Sequence, residues 1–403
     1  MWAVAAALLF LQASDPVAEG TKALEEGKYE AAAEAFSKAV AADPKDYYSH
    51  FNLALAYTFL HRDAEGVAEY RKTLELKPEL YEAQLNAGIL LMREKKAAEA
   101  LPLLDAAAGQ KPKEFRPLYY LADAQLQTDQ PAGAEENFRR ALEADPKEPA
   151  AHLGLARALA RQGKLSEAAP QFREAAALDP NGRDALLELA ENYEKNKQPA
   201  EAMALYRQFP GNIGAEERLG ALLLETKQYA EAASHLEQAY AKDPTDANRA
   251  ALAQAYMLSG DAAKAVPLWE KAVASAPADY RLRMAYGRAL RDLRQFPAAA
   301  AQFQQATRLK ADDPRAWSEL GAALYMGGDL QDALGAFDRA RELGENTPGN
   351  WFLRAIILDK LRQLKPALEA YQRFLSLSQG GNPDQEFQAR QRARIIQKEL
   401  EKR

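Results

Sequence analysis

The 403-residue chain contains no cysteine, which excludes disulfides, thiolate metal sites and cysteine nucleophiles together. Histidine is almost as scarce, with four in total. His50 and His152 fall at the same place in two helical segments, His61 in a turn and His235 in another helix. None has a second His or a carboxylate at a metal-ligand spacing, so packing or surface roles are expected for all four. There is no nucleophile elbow, phosphate-cradling loop or dinucleotide fingerprint. No catalytic residue, metal site or cofactor is expected, and the chain reads as a non-enzyme. Net charge is −6, without the dominant basic face that a general nucleic-acid binder needs. Aromatic residues make up only 9% although hydrophobic residues reach 48%. The difference is alanine, and alanine in quantity points to close helix crossings.

What is present is a period. A small residue returns at Ala32, Gly66, Ala100, Ala134, Ala168, Ala202, Ala232, Ala265, Ala299, Ala333 and Ala367. Four positions after each lies a large apolar residue: Phe36, Tyr70, Leu104, Phe138, Phe172, Tyr206, Leu236, Trp269, Phe303, Phe337 and Tyr371. Twelve positions before each lies another small one, from Gly20 and Ala54 through Gly321 and Ala355. Within Tyr47 to Leu80 the apolar residues recur at helical spacing. Two helices per unit must therefore cross closely at small residues, with the large side chain filling the space beside them. Gly27, Gly163, Gly260 and Gly328 stop the first helix of four units, since glycine accepts a left-handed C-cap. Pro44, Pro78, Pro112, Pro146, Pro180, Pro244 and Pro277 stop the second.

The period and the small-small-large register resemble the tetratricopeptide repeat, over roughly residues 13 to 381. That resemblance implies an all-α fold: a right-handed α-solenoid of about eleven helical hairpins with a C-terminal capping helix. Residues 14–212 read as repeats 1 to 6, residues 213–381 as repeats 7 to 11, and residues 382–403 as the cap. The unit beginning at Arg183 is four residues short and ends in Phe209, Pro210, Gly211 and Asn212, where a bend or weak seam is expected. In the cap, Ala389, Ala393, Ile396 and Leu400 form one stripe, and Arg390, Arg392, Arg394, Lys398 and Glu399 the rest.

In the family, the first helix of each repeat lines a concave groove. The corresponding positions here are Tyr48, Phe51, Asn52, Leu55 and Phe59, then Leu85, Asn86, Ile89 and Met92, then Tyr119 and Tyr120. They continue as Asp184, Glu188, Glu191 and Glu194, then Arg281, Met284, Arg288 and Arg291. The groove is thus expected to run apolar, acidic and basic. Asn52 and Asn86 match the family's frequent asparagine, but the Lys and Asn pattern of its chaperone-tail binders is absent.

The resemblance implies a non-catalytic scaffold that binds peptide or helical segments of a protein partner, in envelope assembly. The alternative reading is a carbohydrate-binding component of polysaccharide export, or the repeat arm of a glycosyltransferase system, with groove tyrosines stacking on sugars. No nucleic acid is expected as a partner. Residues 1–13 form an uncharged apolar run, too short to span a bilayer and matching the core of a secretory signal. A mature chain without a transmembrane segment, periplasmic or secreted, follows from that reading. An apolar N-terminal helix on a cytoplasmic protein is the alternative.

Overall fold

The computed structural model describes residues 15–179 and 182–402. The expected signal segment, residues 1–13, lies outside the described residues, as does Pro180. Twenty-three α-helices and no strand occur among the described residues. The chain divides into two compact units, residues 1–205 and 206–403.

In the first unit the helices are α1 (Pro16–Glu25), α2 (Tyr29–Ala42), α3 (Tyr47–Phe59), α4 (Asp63–Leu76), α5 (Tyr81–Arg93), α6 (Ala97–Gln110), α7 (Phe115–Gln127), α8 (Pro131–Ala144), α9 (Pro149–Arg161), α10 (Leu165–Leu178) and α11 (Asp184–Lys195). The short α12 (Pro199–Tyr206) holds the division between the units. The second unit continues with α13 (Ile213–Glu225), α14 (Tyr229–Lys242), α15 (Asp246–Leu258), α16 (Ala262–Ser275), α17 (Tyr280–Asp292), α18 (Phe296–Leu309), α19 (Pro314–Gly327), α20 (Leu330–Glu342), α21 (Pro348–Lys360), α22 (Leu364–Ser378) and α23 (Pro383–Glu401). Within each unit helices pack on their chain neighbours, and odd-numbered helices also touch the next odd one, as α5 touches α7 and α19 touches α21. Each unit is a stack of helical hairpins.

The crossings have the expected physical cause. A Cβ on Gly20 would lie 2.8 Å from the Phe36 ring, one on Gly88 2.5 Å from Leu104, and one on Gly287 2.6 Å from Phe303. Real Cβ atoms do not approach so closely, so the large residue of the second helix occupies the place of the missing methyl. Phe36, Tyr70, Leu104, Phe172 and Phe303 are fully buried, as are their alanine partners Ala32, Ala100, Ala168 and Ala299. The prolines act as read. Asp43, Lys77 and Asp145, each just before one, have φ between −134° and −140° and ψ between 81° and 95°, the extended conformation that a following proline imposes.

The turn inside each hairpin is more uniform than the residue types suggest. Eleven equivalent residues adopt positive φ: Gly27, His61, Lys95, Asp129, Gly163, Lys197, Lys227, Gly260, Arg294, Gly328 and Arg362. The next backbone N–H donates to the carbonyl five residues back, as Arg62 does to Tyr57 at 2.9 Å and Lys96 to Leu91 at 2.8 Å. This is the Schellman closure. Seven of the eleven residues are not glycine, and each accepts a left-handed conformation costing about 1–2 kcal/mol. The closed carbonyls and the helix packing on both sides hold them there.

His50 and His152 take packing roles. Nδ1 of His50 lies 2.6 Å from Glu69 and its Nε2 3.2 Å from the Pro44 carbonyl; His152 meets Gln171 and the Pro146 carbonyl in the same way. Arg283 reaches the Pro277 carbonyl from the equivalent place. Each side chain ties its hairpin to the turn before it. The cap differs from expectation on one side. Ala389 and Ile396 are buried as read, but Phe387 and Ile395 stand 62% and 46% exposed, a second apolar stripe of α23 that lines a cleft with Phe352 and Ile356 of α21.

Candidate functional site

The candidate surface is the outward face of the odd-numbered helices, where one side chain per turn points away from the hairpin core. In the first unit α3, α5 and α7 supply an apolar and aromatic stretch. Tyr48 is 42% exposed; Phe51, Leu55, Ile89, Tyr119 and Tyr120 are half-buried. The Phe51, Tyr119 and Tyr120 rings are held rather than loose. The Phe51 ring meets buried Tyr70 edge-on at 5.6 Å, and Tyr119 meets Phe138 at 5.9 Å and Tyr120 at 5.2 Å. Asn86 donates to the Tyr70 hydroxyl at 3.3 Å. Phe59 is 48% exposed but lies stacked 4.5 Å from Tyr29 of the preceding hairpin.

Three groove expectations fail on burial. Leu85 and Met92 belong to the hydrophobic core of the unit, because the helix is rotated to bring them against its neighbours. Asn52 is buried and donates to the Tyr48 carbonyl at 2.9 Å, which turns its amide back onto its own helix. The apolar face is therefore narrower than the sequence reading, and it is carried mainly by aromatics.

The acidic stretch is also altered. Glu188 receives Nε of Arg157 at 3.0 Å and its Nη2 at 2.8 Å. This is a charge-assisted bidentate pair. A cleft of about 880 Å³ lies between α7, α9 and α11, lined by Asp123, Arg157, Arg161, Asp184, Glu188 and Glu191 among others. Both signs of charge line it, so the expected acidic run is half-compensated. Burial pushes the Asp123 carboxyl above its ordinary range, against the pull of the Gln127 amide and of Arg157. Burial likewise raises the Tyr119 hydroxyl to about 12, with Asp123 adding to it; this phenol stays a proton donor at neutral pH.

In the second unit the basic stretch is reorganised. Arg288 donates to Glu319 at 2.9 Å and Arg291 donates to the other oxygen of the same carboxylate. Met284 is buried, a further groove expectation that fails. Of the three arginines expected in the groove of α17, Arg281 is the one without an ion pair among the described residues. The structure then adds two cations that helix-by-helix reading passed over, Lys310 and Arg315, which join Arg281 and Arg288 around a cleft of about 380 Å³. The signal for Arg157 and Glu319 was present. Arg157 with Glu188 and Arg288 with Glu319 share a separation of 31 residues, which only a reading across adjacent repeats reveals. Extending the register one helix further would likewise have reached Phe387 and Ile395.

No group of three or more metal-ligating side chains occurs among the described residues, and none of the helices searched there is long and apolar enough to cross a membrane. No curated protein matches the chain. Similar solved structures include MamA, residues 41 to the end, from Desulfovibrio magneticus RS-1, at 23% identity over 41% of this chain and 94% of that one, with a TM-score of 0.39. YrrB, described as a TPR protein with an unusual peptide-binding site, shows 24% identity over 49% of this chain and 99% of its own, with a TM-score of 0.41. The profile of the tetratricopeptide repeat matches residues 17–78, 60–115, 119–183, 155–214, 250–294 and 287–350, and a second profile of the same description matches residues 223–268. With hairpins, crossings and turns repeating in the same register, the chain belongs to the tetratricopeptide repeat family.

Proposed function

We propose that the protein is a non-catalytic scaffold that holds an extended or helical segment of a protein partner on the odd-helix face of its first unit. One observation carries the reading. Tyr48, Phe51, Leu55, Ile89, Tyr119 and Tyr120 reach solvent from the successive odd-numbered helices α3, α5 and α7, and the rings of Phe51, Tyr119 and Tyr120 are braced by neighbouring rings. Braced aromatic side chains lose little conformational freedom on binding and gain most from desolvation. The neighbouring cleft at Arg157 and Glu188 would then set register and orientation more than affinity. The reading includes a place outside the cytoplasm, in envelope assembly. The apolar run of residues 1–13 and the lack of cysteine support it, and N-terminal sequencing of the native protein tests it.

The test begins with capture of a partner from an extract of the source organism, followed by calorimetry on the purified pair. Tyr48→Ala and Tyr120→Ala should each weaken binding by about 1–3 kcal/mol if they are hot spots, with helicity unchanged. Retained affinity in both variants would remove the site from this face. Selective binding to a glycan array, with no protein partner captured, would favour the carbohydrate reading.

A further inference from the structure

The second unit carries a cluster of cations on its odd-helix face. The cleft of about 380 Å³ between α17 and α19 is lined by Arg281, Arg288, Lys310 and Arg315, with Asp313 as its one carboxylate. Arg281 and Lys310 make no ion pair among the described residues. Lys310 lies 4.8 Å from the centre of the Tyr280 ring, a cation–π contact that holds the ammonium at the cleft, where Asp313 attracts it without forming an ion pair. Arg315 comes no closer than 3.8 Å to Asp313. Arg288 is compensated by Glu319, which it shares with Arg291. Counting Glu319 against Arg288 leaves two positive charges in the cleft without a counter-charge.

Asp313 is already occupied. It accepts from the Tyr280 hydroxyl at 2.8 Å and from the Arg315 backbone N–H at 3.0 Å. Against the cost of burial, these bonds, with the charges of Arg315 and Lys310 adding to them, hold its carboxyl below the ordinary range. The Tyr280 hydroxyl, raised to about 12 by burial and by Asp313, remains a donor committed to that carboxylate. The cleft therefore offers guanidinium and ammonium groups with free donors and a like-charge repulsion that an anion would relieve. A single carboxylate would satisfy only half of the surplus. A phosphoryl group carries about −1.5 to −2 at neutral pH and presents three oxygens to forked guanidinium donors.

We propose that the cleft formed by Arg281, Arg288, Lys310 and Arg315 binds a phosphoryl group, on a phosphorylated protein segment or on a small phosphorylated molecule. The site lies wholly in the second unit and does not depend on the partner face of the first.

The experiment titrates the full chain with inorganic phosphate, phosphoserine amide, glycerol phosphate and glutamate amide, at low and at physiological salt. Phosphate should bind saturably, and phosphoserine amide at least tenfold more tightly than glutamate amide. The double variant Arg281→Ala with Arg315→Ala should lose tenfold or more, because neither side chain makes a close ion pair in the fold. Lys310→Met should lose severalfold, and Arg308→Ala, on α18 outside the cleft lining, should change nothing. Affinity should fall with added salt, since the cations are exposed. Tighter binding of phosphoserine amide than glycerol phosphate would mark a phosphorylated protein segment as the ligand, and the reverse a small molecule. No saturable binding of phosphate, equal affinity in the double variant, or glutamate amide binding as tightly as phosphoserine amide would each overturn the proposal.

Discussion

The two units share one backbone pattern and present different chemistry on the equivalent face. In the first, the groove positions of α3, α5 and α7 are aromatic or aliphatic, and the arginine that follows, Arg157, is consumed by Glu188. In the second, Arg288 and Arg291 converge on a single Glu319, and Arg281 and Lys310 beside them line the same face without an ion pair among the described residues. A repeat scaffold fixes where side chains stand. What the face can bind then depends on whether each charge meets its opposite one repeat further on. Charges that pair internally drop out of recognition, and those left over define it.

The largest effect that sharpens this comparison comes from the core. Phe138→Ala in the first unit and Phe303→Ala in the second should each cost about 3–5 kcal/mol, as deletion of a fully buried aromatic does. Only Phe138 supports Tyr119, so only the first variant should also weaken the protein partner, at temperatures where both remain folded. Denaturant titration and calorimetry check both parts. Equal loss of partner affinity would mean that the two faces act together.

Next come the carboxylates that silence arginines. Glu319→Gln releases Arg288 and Arg291 and should raise phosphate affinity severalfold. Glu188→Gln releases Arg157 and should leave phosphate binding unchanged. Stability should fall by about 1–3 kcal/mol in each, because both carboxylates are more than half covered and accept charge-assisted bonds. Phosphate affinity that ignores Glu319 would break the contrast drawn between the units.

Smaller effects belong to the hairpin turns, where the units should behave alike. Lys95→Gly and Arg362→Gly place glycine at left-handed positions and should stabilise by about 0.5–1 kcal/mol. Gly163→Ala and Gly260→Ala should do the opposite. Thermal melts decide it, and destabilisation by Lys95→Gly would show that the turn is not strained.

The subtlest test is one of pH. Asp123 has its carboxyl raised by burial in the fold, so its contribution is fully present below the unfolded value and is lost as pH rises through the folded one. The wild type thus carries a cost at neutral pH. Asp123→Asn keeps an acceptor for Gln127 and should be more stable than wild type at pH 7, with the gain disappearing below about pH 3, where aspartate is protonated in both states. A gain that persists or grows in acid would contradict the assignment.

Much of this was legible before any coordinates. The period, the triplet of small, small and large residues and the proline stops act through local sterics, and Gly287 against Phe303 shows them acting as read. Asn52, Leu85, Met92 and Met284 were misplaced because a helix position says which sector a side chain occupies, while a few degrees of rotation decide whether the neighbouring hairpin covers it. Phe387 and Ile395 were passed over because the final helix was read as a lid, with no groove face of its own.

The sequence by itself determined the hairpin, its crossing points and the number of repeats, since each rests on contacts within one unit of the period and on backbone limits of glycine and proline. Tertiary structure decided the rest. It placed His61, Lys95 and Arg362 in a conformation their side chains do not favour, because closing the hairpin satisfies carbonyls and buries apolar surface worth more than the strain. It also decided which charges remain free. Arg157 meets Glu188 and Arg288 meets Glu319 only because adjacent repeats stack at a fixed offset, and Coulomb energy depends on that distance rather than on composition.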